Sequence, residues 1–175
     1  MAERIMNIVE HDLRLEKMFE IEKAILKKVF NENIIQIEHI GSTSVPNLAA
    51  KPIIDIIIIV YDINKVDEFN AEMAKYGYTA KGEYGMPGRR YFVKFKEDGV
   101  NRTHHVHIFE KENLFTDKML LFRDFLRVNQ QARTKYENTK RELSKKYYHD
   151  STSYTNGKSD CINEILTEAK QFFHI

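Results

Sequence analysis

The residues best suited to chemistry begin at a Gly-Ser turn that follows a short apolar stretch. Gly41, Ser42, Thr43 and Ser44 form this turn. Glycine lets a phosphate approach the backbone, and the turn offers hydroxyl and N–H groups to an anion. The turn is therefore a candidate phosphate-binding site. The alternative is an ordinary turn with surface hydroxyls, because Gly-Ser pairs are common.

Asp55 is a carboxylate inside an isoleucine-rich strand predicted over 53–60. An uncompensated carboxylate buried in such a strand would be strongly destabilising. We therefore expect Asp55 to meet a cation, to accept several hydrogen bonds, or to lie at the rim of the sheet facing a cleft. A divalent cation held there would balance the charge of phosphates bound by the turn. The alternative is a carboxylate satisfied by nearby backbone donors.

Two histidines form the third candidate group. Alternate residues of a strand share a face, so a strand over 103–109 would point His105 and His107 the same way, about 6.5 to 7 Å apart, and His104 the other way. Two imidazoles at this spacing can share a metal ion, or one can bind metal while the other orients a substrate. The alternative is two half-buried histidines with hydrogen-bond partners.

Basic residues near predicted turns are further candidates. Arg89 and Arg90 follow a Gly-rich turn, and Lys158 lies in the first predicted turn of the last helix. Cations at such positions often contact phosphate, although any one of them alone is more often a solvated charge. The run from Gly157 to Ser159 is not the end of a P-loop, because Thr152 stands where glycine is needed.

Hydrophobic periodicity assigns the elements that must position these residues. Spacings of three and four predict a helix over 13–30 with Met18, Ile21, Ile25 and Val29 on its apolar face. Strands are predicted at 34–40, 53–60, 78–84, 90–95 and 103–109, and further helices at 66–76, around 120–126, at 132–147 and up to 173. Cys161 lies on the apolar stripe of the last helix and is predicted to be a core residue. The order predicts an α/β or α+β domain with a mixed sheet.

Composition restricts the class of protein. The 175 residues are 42% hydrophobic and 30% charged, which fits one globular domain. The formal net charge is +1, so phosphate binding requires a local cluster of cations and there is no strong nucleic-acid or membrane signal. A single cysteine and the polar start of the chain predict a cytoplasmic protein. The oligomeric state is left open.

The segment from His39 to Ile56 reads HIGSTSVPNLAAKPIIDI and resembles the signature of the GrpB family. The resemblance continues through 88–92, 105–107, 122–127 and 154–158, and it covers nearly the whole chain. It implies a nucleotidyltransferase-like mixed sheet flanked by helices, in one domain over 1–175. The core would occupy about 1–112 and C-terminal helices about 115–175.

The GrpB family is similar to the nucleotidyltransferase superfamily, in which a Gly-Ser turn holds nucleotide phosphates. Two carboxylates one residue apart on the next strand bind two metal ions there, and a third lies on a later strand. Asp55 matches the first carboxylate, whereas Ile57 occupies the second position and cannot bind metal. His105 or His107 is expected near the third.

The resemblance implies a nucleotidyltransferase-like protein that binds an NTP, or acts on it, with a divalent metal such as Mg²⁺, Mn²⁺ or Zn²⁺. Asp55 and His107 are the expected catalytic residues. The expected metal ligands are Asp55, His105, His107 and His39, and the expected phosphate ligands are Gly41, Ser42, Thr43, Ser44, Lys51, Arg90 and Lys158. The partner is expected to be a nucleotide or a phosphorylated small molecule. Because of Ile57, two other functions stay open: a non-catalytic nucleotide- or anion-binding module, and a metal-dependent hydrolase that uses the histidines and aspartate.

Overall fold

A five-stranded mixed sheet forms the centre of the protein in a computed structural model that describes residues 4–175. The strands are β1 (Ile34–Ile40), β2 (Ile54–Val60), β3 (Tyr78–Ala80), β4 (Arg90–Phe95) and β5 (Arg102–Glu110), in the spatial order β1-β2-β5-β4-β3. β2 and β5 are parallel, and the other neighbouring pairs are antiparallel. This mixed sheet with flanking helices confirms the predicted fold class.

The described residues contain six α-helices, which lie on both sides of the sheet. They are α1 (Arg14–Phe30), α2 (Asn70–Lys75), α3 (Leu114–Val128), α4 (Gln130–Lys146), α5 (Ser151–Gly157) and α6 (Ser159–Phe173). The periodicity did not predict α5, although Asp150 caps it by accepting from the N–H groups of Thr152 and Ser153. Within residues 4–175, no helix is both long and apolar enough to cross a membrane.

The third strand is shorter than predicted. The sequence favoured a strand over 78–84, but β3 ends at Ala80, and beyond it only Lys81 and Gly82 form backbone hydrogen bonds with Tyr91. The chain then turns through Gly82, Tyr84 and Gly85, all of which have positive φ. A strand cannot continue through such residues, so 82–88 is a loop rather than part of the sheet.

The buried face of α1 differs from the predicted one. Its buried residues include Leu15, Phe19 and Glu22, whereas Met18 and Ile21 are exposed. The predicted stripe is confirmed at Val29 and Ile25, which pack in the core, and it is wrong at Met18 and Ile21, because Glu22 takes part of the buried face. Its carboxylate instead accepts a hydrogen bond of 2.7 Å from the hydroxyl of Tyr78 and pairs with Nζ of Lys94 at 2.6 Å.

The two faces of β2 meet different environments. Ile54, Ile56 and Ile58 pack with α1 in the largest apolar cluster. Ile57 points to the opposite face, where it is fully buried with Ile40 and Phe109 next to residues of α3. Asp55 shares that second face, since it lies two residues before Ile57.

The C-terminal helices form a third apolar cluster. Residues of α3, α4 and α6 pack around Val45 and Leu48, which follow the Gly-Ser turn. Cys161 belongs to this cluster and is buried, which confirms its predicted place in the core. The contact between these helices and the loop after β1 covers the second face of the sheet.

The buried carboxylate of Glu22 generates a test of stability. We expect Glu22→Ala to lower the free energy of unfolding by about 3 kcal/mol, because the variant leaves Lys94 and Tyr78 without their carboxylate partner. Glu20→Ala on the same helix is the control: its side chain is 66% exposed and 3.8 Å from Lys23, so the loss should be below about 0.5 kcal/mol. Urea unfolding at pH 7 measures both. Equal losses would show that the Glu22 network contributes nothing.

Candidate functional site

The Gly-Ser turn lies directly against Asp55. Ile40, the last residue of β1, is the cross-strand partner of Asp55, so the turn begins beside that carboxylate. Gly41 has a φ of 71°, and a Cβ at this position would lie 2.5 Å from Oδ2 of Asp55. Glycine is required here for two reasons, the left-handed backbone and the close approach of the side chain.

The hydroxyl groups of the turn have separate tasks. Ser42 lines the cavity above Asp55, and its side chain is within hydrogen-bonding reach of Tyr136. Thr43 also lines the cavity, but its hydroxyl donates to the carbonyl of Ile53 at 2.9 Å. The hydroxyl of Ser44 donates to the carbonyl of Gly41 at 2.6 Å. The last two hydroxyls therefore hold the turn in shape, and Ser42 is the one that faces the cavity.

Asp55, His105 and His107 converge at the bottom of this cavity. In the parallel pair β2 and β5, Asp55 lies opposite His105, and Ile57 lies opposite His107. Nδ1 of His105 is 2.7 Å from Oδ1 of Asp55, and because a carboxylate only accepts, Nδ1–H is the donor. One potential ligand atom from each of the three residues lies within 4.8 Å of the others. The register therefore brings together the three polar groups that the sequence singled out.

The electrostatics of the cluster suit a bound cation. Burial raises the pKa of the Asp55 carboxyl, but the hydrogen bond from His105 and the charge of Lys51 lower it by more, so the carboxylate is ionised. Burial lowers the pKa of His107 to about 3, so its ring is neutral. Nε2 of His105 is buried and has no hydrogen-bond partner. An ionised carboxylate and two imidazole nitrogens are thus available as ligands.

Besides Ser44, which does not line the cavity, two of the predicted site residues lie elsewhere. His39 is on the opposite face of β1, where its ring stacks on Phe19 at 4.7 Å and its Nε2 is 3.0 Å from the hydroxyl of Thr43. Arg90 also points away from the cavity and pairs with Asp67 at 2.8 Å. Each residue is one position out of phase with the residues of its strand that face the site. We therefore leave both out of the candidate site.

Three lysines that line the cavity surround buried tyrosines. The ammonium groups of Lys51 and Lys158 each lie 4.8 Å from the ring centroid of Tyr154. Lys140 donates to the carbonyl of Ala49 and lies 4.9 Å from the ring of Tyr136, the residue next to Ser42. The sequence predicted Lys51 and Lys158 as phosphate ligands, but Lys140 was missed.

Burial lowers the pKa of each of these lysines. The pKa of Lys140 falls to about 7, because burial and the nearby charge of Lys158 oppose a charge there. The pKa of Lys51 falls to about 8 for the same two reasons. Burial also lowers the pKa of Lys158. The cluster is therefore destabilising when empty, and a bound anion would relieve it.

Lys158 owes its position to the break between α5 and α6. Gly157, the last residue of α5, packs against α4, where an added Cβ would lie 2.7 Å from Cδ2 of Leu143. The glycine therefore allows close helix packing, which agrees with the prediction that this run is not a P-loop. Lys158 follows at the start of α6 and reaches into the cavity.

Tyr91 and Arg102, which the sequence did not single out, line the opposite wall, and Arg89, which it did, lies behind His107. The ring of Tyr91 lies 4.8 Å from that of His107 and 5.8 Å from that of His105. Arg89, one residue before β4, is buried, and its Nη1 is 3.4 Å from Nδ1 of His107. Arg102 donates to the hydroxyl of Tyr91 at 3.0 Å.

The cavity as a whole is strongly cationic. Its volume is about 590 Å³, and among residues 4–175 the one carboxylate that lines it is Asp55. The lining also carries six cationic side chains, from Arg4, Lys51, Arg102, Lys118, Lys140 and Lys158. A chain whose formal net charge is only +1 has gathered positive charge in one place. The local cluster that anion binding requires is present.

Comparison with known proteins supports one family. A family model described as "GrpB protein" matches residues 5–168. The UPF0157 protein YqkA of Bacillus subtilis is 42% identical over 169 residues, which is 97% of this chain and 48% of that protein. The glutamate-rich protein GrpB of Alkalihalophilus pseudofirmus is 34% identical over 92% of this chain and 94% of its own length. The chain thus spans about half of the first relative and nearly all of the second.

Solved structures share the fold. The crystal structure of the conserved protein GrpB from Enterococcus faecalis has a TM-score of 0.89 and 39% identity, and the match covers 97% of this chain and 100% of that one. Cid1 poly(U) polymerase, in a structure with MgGTP bound, has a TM-score of 0.56 and 14% identity, over 86% of this chain and 50% of that one. The second likeness shows that the fold is nucleotidyltransferase-like.

The contact between Gly41 and Asp55 can be tested against a matched glycine. Gly41→Ala should lower the free energy of unfolding by at least ~2 kcal/mol, because it combines left-handed strain with displacement of the carboxylate. Gly99 has a similar φ of 66° but open space around an added Cβ, so Gly99→Ala should cost only about 1 kcal/mol. Urea unfolding compares the two. The same loss in both variants would mean that the approach to Asp55 is not tight.

The lysine cluster predicts a dependence of stability on pH. Because the folded pKa of Lys140 is about 7 and the unfolded value is 10.5, the unfolded chain binds more protons between these values, so stability contributed by this group rises with pH. At pH 7, Lys140→Met should raise the free energy of unfolding of the ligand-free protein by about 1 kcal/mol or more, even though the variant loses the hydrogen bond to Ala49. The gain should shrink as the pH approaches 10.

The exposed Lys145 on the same helix provides the control, and Lys145→Met should change the unfolding free energy little at any pH. Both variants are compared with the parent protein by urea unfolding from pH 7 to 10. A Lys140→Met protein that is less stable than the parent by a constant amount would contradict the assignment.

Proposed function

The chain belongs to the GrpB family, and we propose that it is a nucleotidyltransferase-like protein whose cavity binds an NTP together with a divalent cation. One observation carries the proposal: the Gly-Ser turn, the Asp55 carboxylate and the lysine cluster face a single cavity. Glycine, hydroxyl and ammonium groups lie beside the Asp55 carboxylate. This arrangement suits a nucleotide together with its cation.

Asp55, His105 and His107 are the proposed cation ligands. The fit is supported by their convergence, by the ionised state of Asp55, and by the partnerless Nε2 of His105. Two imidazoles and one carboxylate favour Zn²⁺ or Mn²⁺ over Mg²⁺, which prefers oxygen ligands. When bound, such a cation would neutralise charge on the phosphate at which transfer occurs.

The phosphates of the NTP would lie between the turn and the lysines. Ser42 and the backbone of the turn donate hydrogen bonds, and Lys51, Lys140 and Lys158 supply positive charge. An anion in this place gives the buried ammonium groups the partner that the folded protein lacks. The energy that opposes their burial thus becomes affinity for the ligand.

In the transfer reaction, an acceptor oxygen forms a bond to the α-phosphorus, and the bond from that phosphorus to the bridging oxygen breaks. Pyrophosphate leaves with the bonding electrons, and the proton of the acceptor hydroxyl passes to water. The residues of this chain contribute position and charge: the turn and the lysines hold the leaving group, and the Asp55 face of the sheet holds the α-phosphate.

A second function is favoured by Ile57. The position at which the superfamily carries its second carboxylate is apolar and fully buried with Ile40 and Phe109. A two-metal mechanism would lack its second carboxylate ligand at this position. The second candidate is therefore a module that binds a nucleotide or another polyanion without converting it.

Thermal unfolding tests the binding proposal. Metal-free protein is unfolded with Mg²⁺, Mn²⁺ or Zn²⁺, alone and with each NTP. A ligand at 100 times its dissociation constant adds about 2.7 kcal/mol, which corresponds to a rise in midpoint of roughly 5 to 11 °C. The rise should need both components and should disappear in Asp55→Asn.

Asp117→Asn, an exposed aspartate at the start of α3, is the matched control and should keep the full shift. If no combination of metal and nucleotide moves the midpoint, the nucleotide proposal is wrong. Pyrophosphate release with a panel of hydroxyl acceptors then separates the two functions. Binding that persists in Asp55→Asn without metal, with no product, would favour the non-catalytic module.

A further inference from the structure

A second group of cations lies in the cavity, next to Lys51 of the lysine cluster. It consists of Arg4 and Arg102, which both line the cavity near Tyr91. Arg102 begins β5, and in the sheet order β1-β2-β5-β4 the strand that carries Asp55 lies between β5 and the strand that ends in the Gly-Ser turn. The arginines and the turn are therefore on opposite sides of Asp55.

Arg102 is held in place but lacks an anionic partner. Its Nη1 donates to the hydroxyl of Tyr91 at 3.0 Å, and its guanidinium carbon lies 6.0 Å from the ring centroid of Phe95. Its Nε is buried and has no hydrogen-bond partner. No carboxylate among residues 4–175 forms an ion pair with it, whereas Arg90 and Arg123 pair with acidic side chains.

Arg4 is brought to the same place by the segment before α1. The N–H of Ile5 donates to Oδ1 of Asn101 at 3.3 Å, next to the start of β5. The N–H of Met6 donates to the carbonyl of Tyr148 at 2.8 Å. Arg4 thus has a positively charged neighbour in Arg102 and, within the part of the chain that the structure describes, no ion-pair partner. Two half-buried like charges at one place are unfavourable without an anion between them.

The geometry of transfer gives this pair a task. In phosphoryl transfer the attacking and leaving oxygens lie in line on opposite sides of phosphorus. If pyrophosphate leaves toward the turn and the lysines, the acceptor must approach from the side of β5 and β4. Arg4, Arg102 and Tyr91 form that side.

We propose that Arg4 and Arg102 bind an anionic group, a phosphate or a carboxylate, on the acceptor molecule, and this inference rests on the proposed function. The acceptor is then a small anionic alcohol rather than a neutral one. A forked guanidinium suits both kinds of anion, because it can donate two parallel hydrogen bonds. Tyr91 lies between this site and the histidines, so the acceptor hydroxyl would reach the cluster past its ring.

The test is a titration of three probe alcohols: glycerol 3-phosphate, glycolate and neutral glycerol. Calorimetry is carried out on protein loaded with Mn²⁺, with and without a saturating NTP analogue that has a methylene group between its α- and β-phosphorus. We expect one of the two anionic probes to bind beside the analogue and glycerol not to bind. The probe that binds identifies the anion as phosphate or carboxylate.

Arg4→Met and Arg102→Met should each weaken the anionic probe about tenfold or more, because each removes charged hydrogen bonds. Both should change the affinity for the NTP analogue by less than about threefold. Lys158→Met should instead weaken binding of the NTP analogue and leave the affinity for the anionic probe nearly unchanged. Arg14→Met, an exposed arginine paired with Asp12, is the control for loss of a charge. If Arg102→Met disturbs Tyr91, Arg4→Met still tests the proposal, because Arg4 lies outside the sheet.

Three outcomes would overturn the inference: no anionic probe binds, the probe competes with the NTP analogue instead of joining it, or both arginine variants keep the affinity of the parent protein. Failure of the proposed function looks different. In that case the NTP analogue does not bind, while arginine-dependent binding of the anionic probe persists.

Discussion

The ionised carboxylate of Asp55, placed between isoleucines on a central strand, is the constraint on which the site depends. Such a group is tolerated only where its charge is compensated. His105 supplies one hydrogen bond from the neighbouring parallel strand, and the absence of a side chain at Gly41 leaves room for the second oxygen. The carboxylate therefore fixes the pairing of β2 with β5 and the shape of the turn after β1. The strands β1, β2 and β5 thus meet at the carboxylate group of Asp55.

The cationic side chains that line the cavity also need their charge to be compensated. The buried lysines and the two arginines carry charges that the folded protein does not balance with carboxylates of its own among residues 4–175. A core built for stability alone would not gather these groups, because burial opposes each charge and the charges repel one another. Their presence is understandable if the complete electrostatic unit includes anions from outside the chain. Asp55, as the one negative group, then marks the place where a cation rather than an anion belongs.

The sequence predicted the central features of this site because they depend on short distances along the chain. Gly41 and Ser42 follow a strand directly, and His105 and His107 share a face by simple alternation. His39 and Arg90 were misplaced by one residue: in a strand that error moves a side chain to the other face, and the register that decides it comes from the neighbouring strand. Arg4, Arg102 and Lys140 could not be found in this way. Arg4 and Lys140 reach the cavity from distant segments, through the packing of the N-terminal segment and of α4 on the sheet. Arg102 is on the strand of the histidines, but it lies where the register with β4 shifts, and simple alternation does not show this.

Ile57 shows how far the proposed cation site differs from the two-carboxylate site of nucleotidyltransferases. Ile57 does not lie at the surface of a cleft, where a carboxylate could simply take its place. It packs with Ile40 and Phe109 against residues of α3. A carboxylate there would enter an apolar cluster, with the neutral His107 as its cross-strand neighbour. The apolar support under β2 and the histidines on β5 thus form one consistent arrangement. Restoring the usual ligand pair would require changes in three elements, so the single-carboxylate site is a property of the packing and not of one substitution.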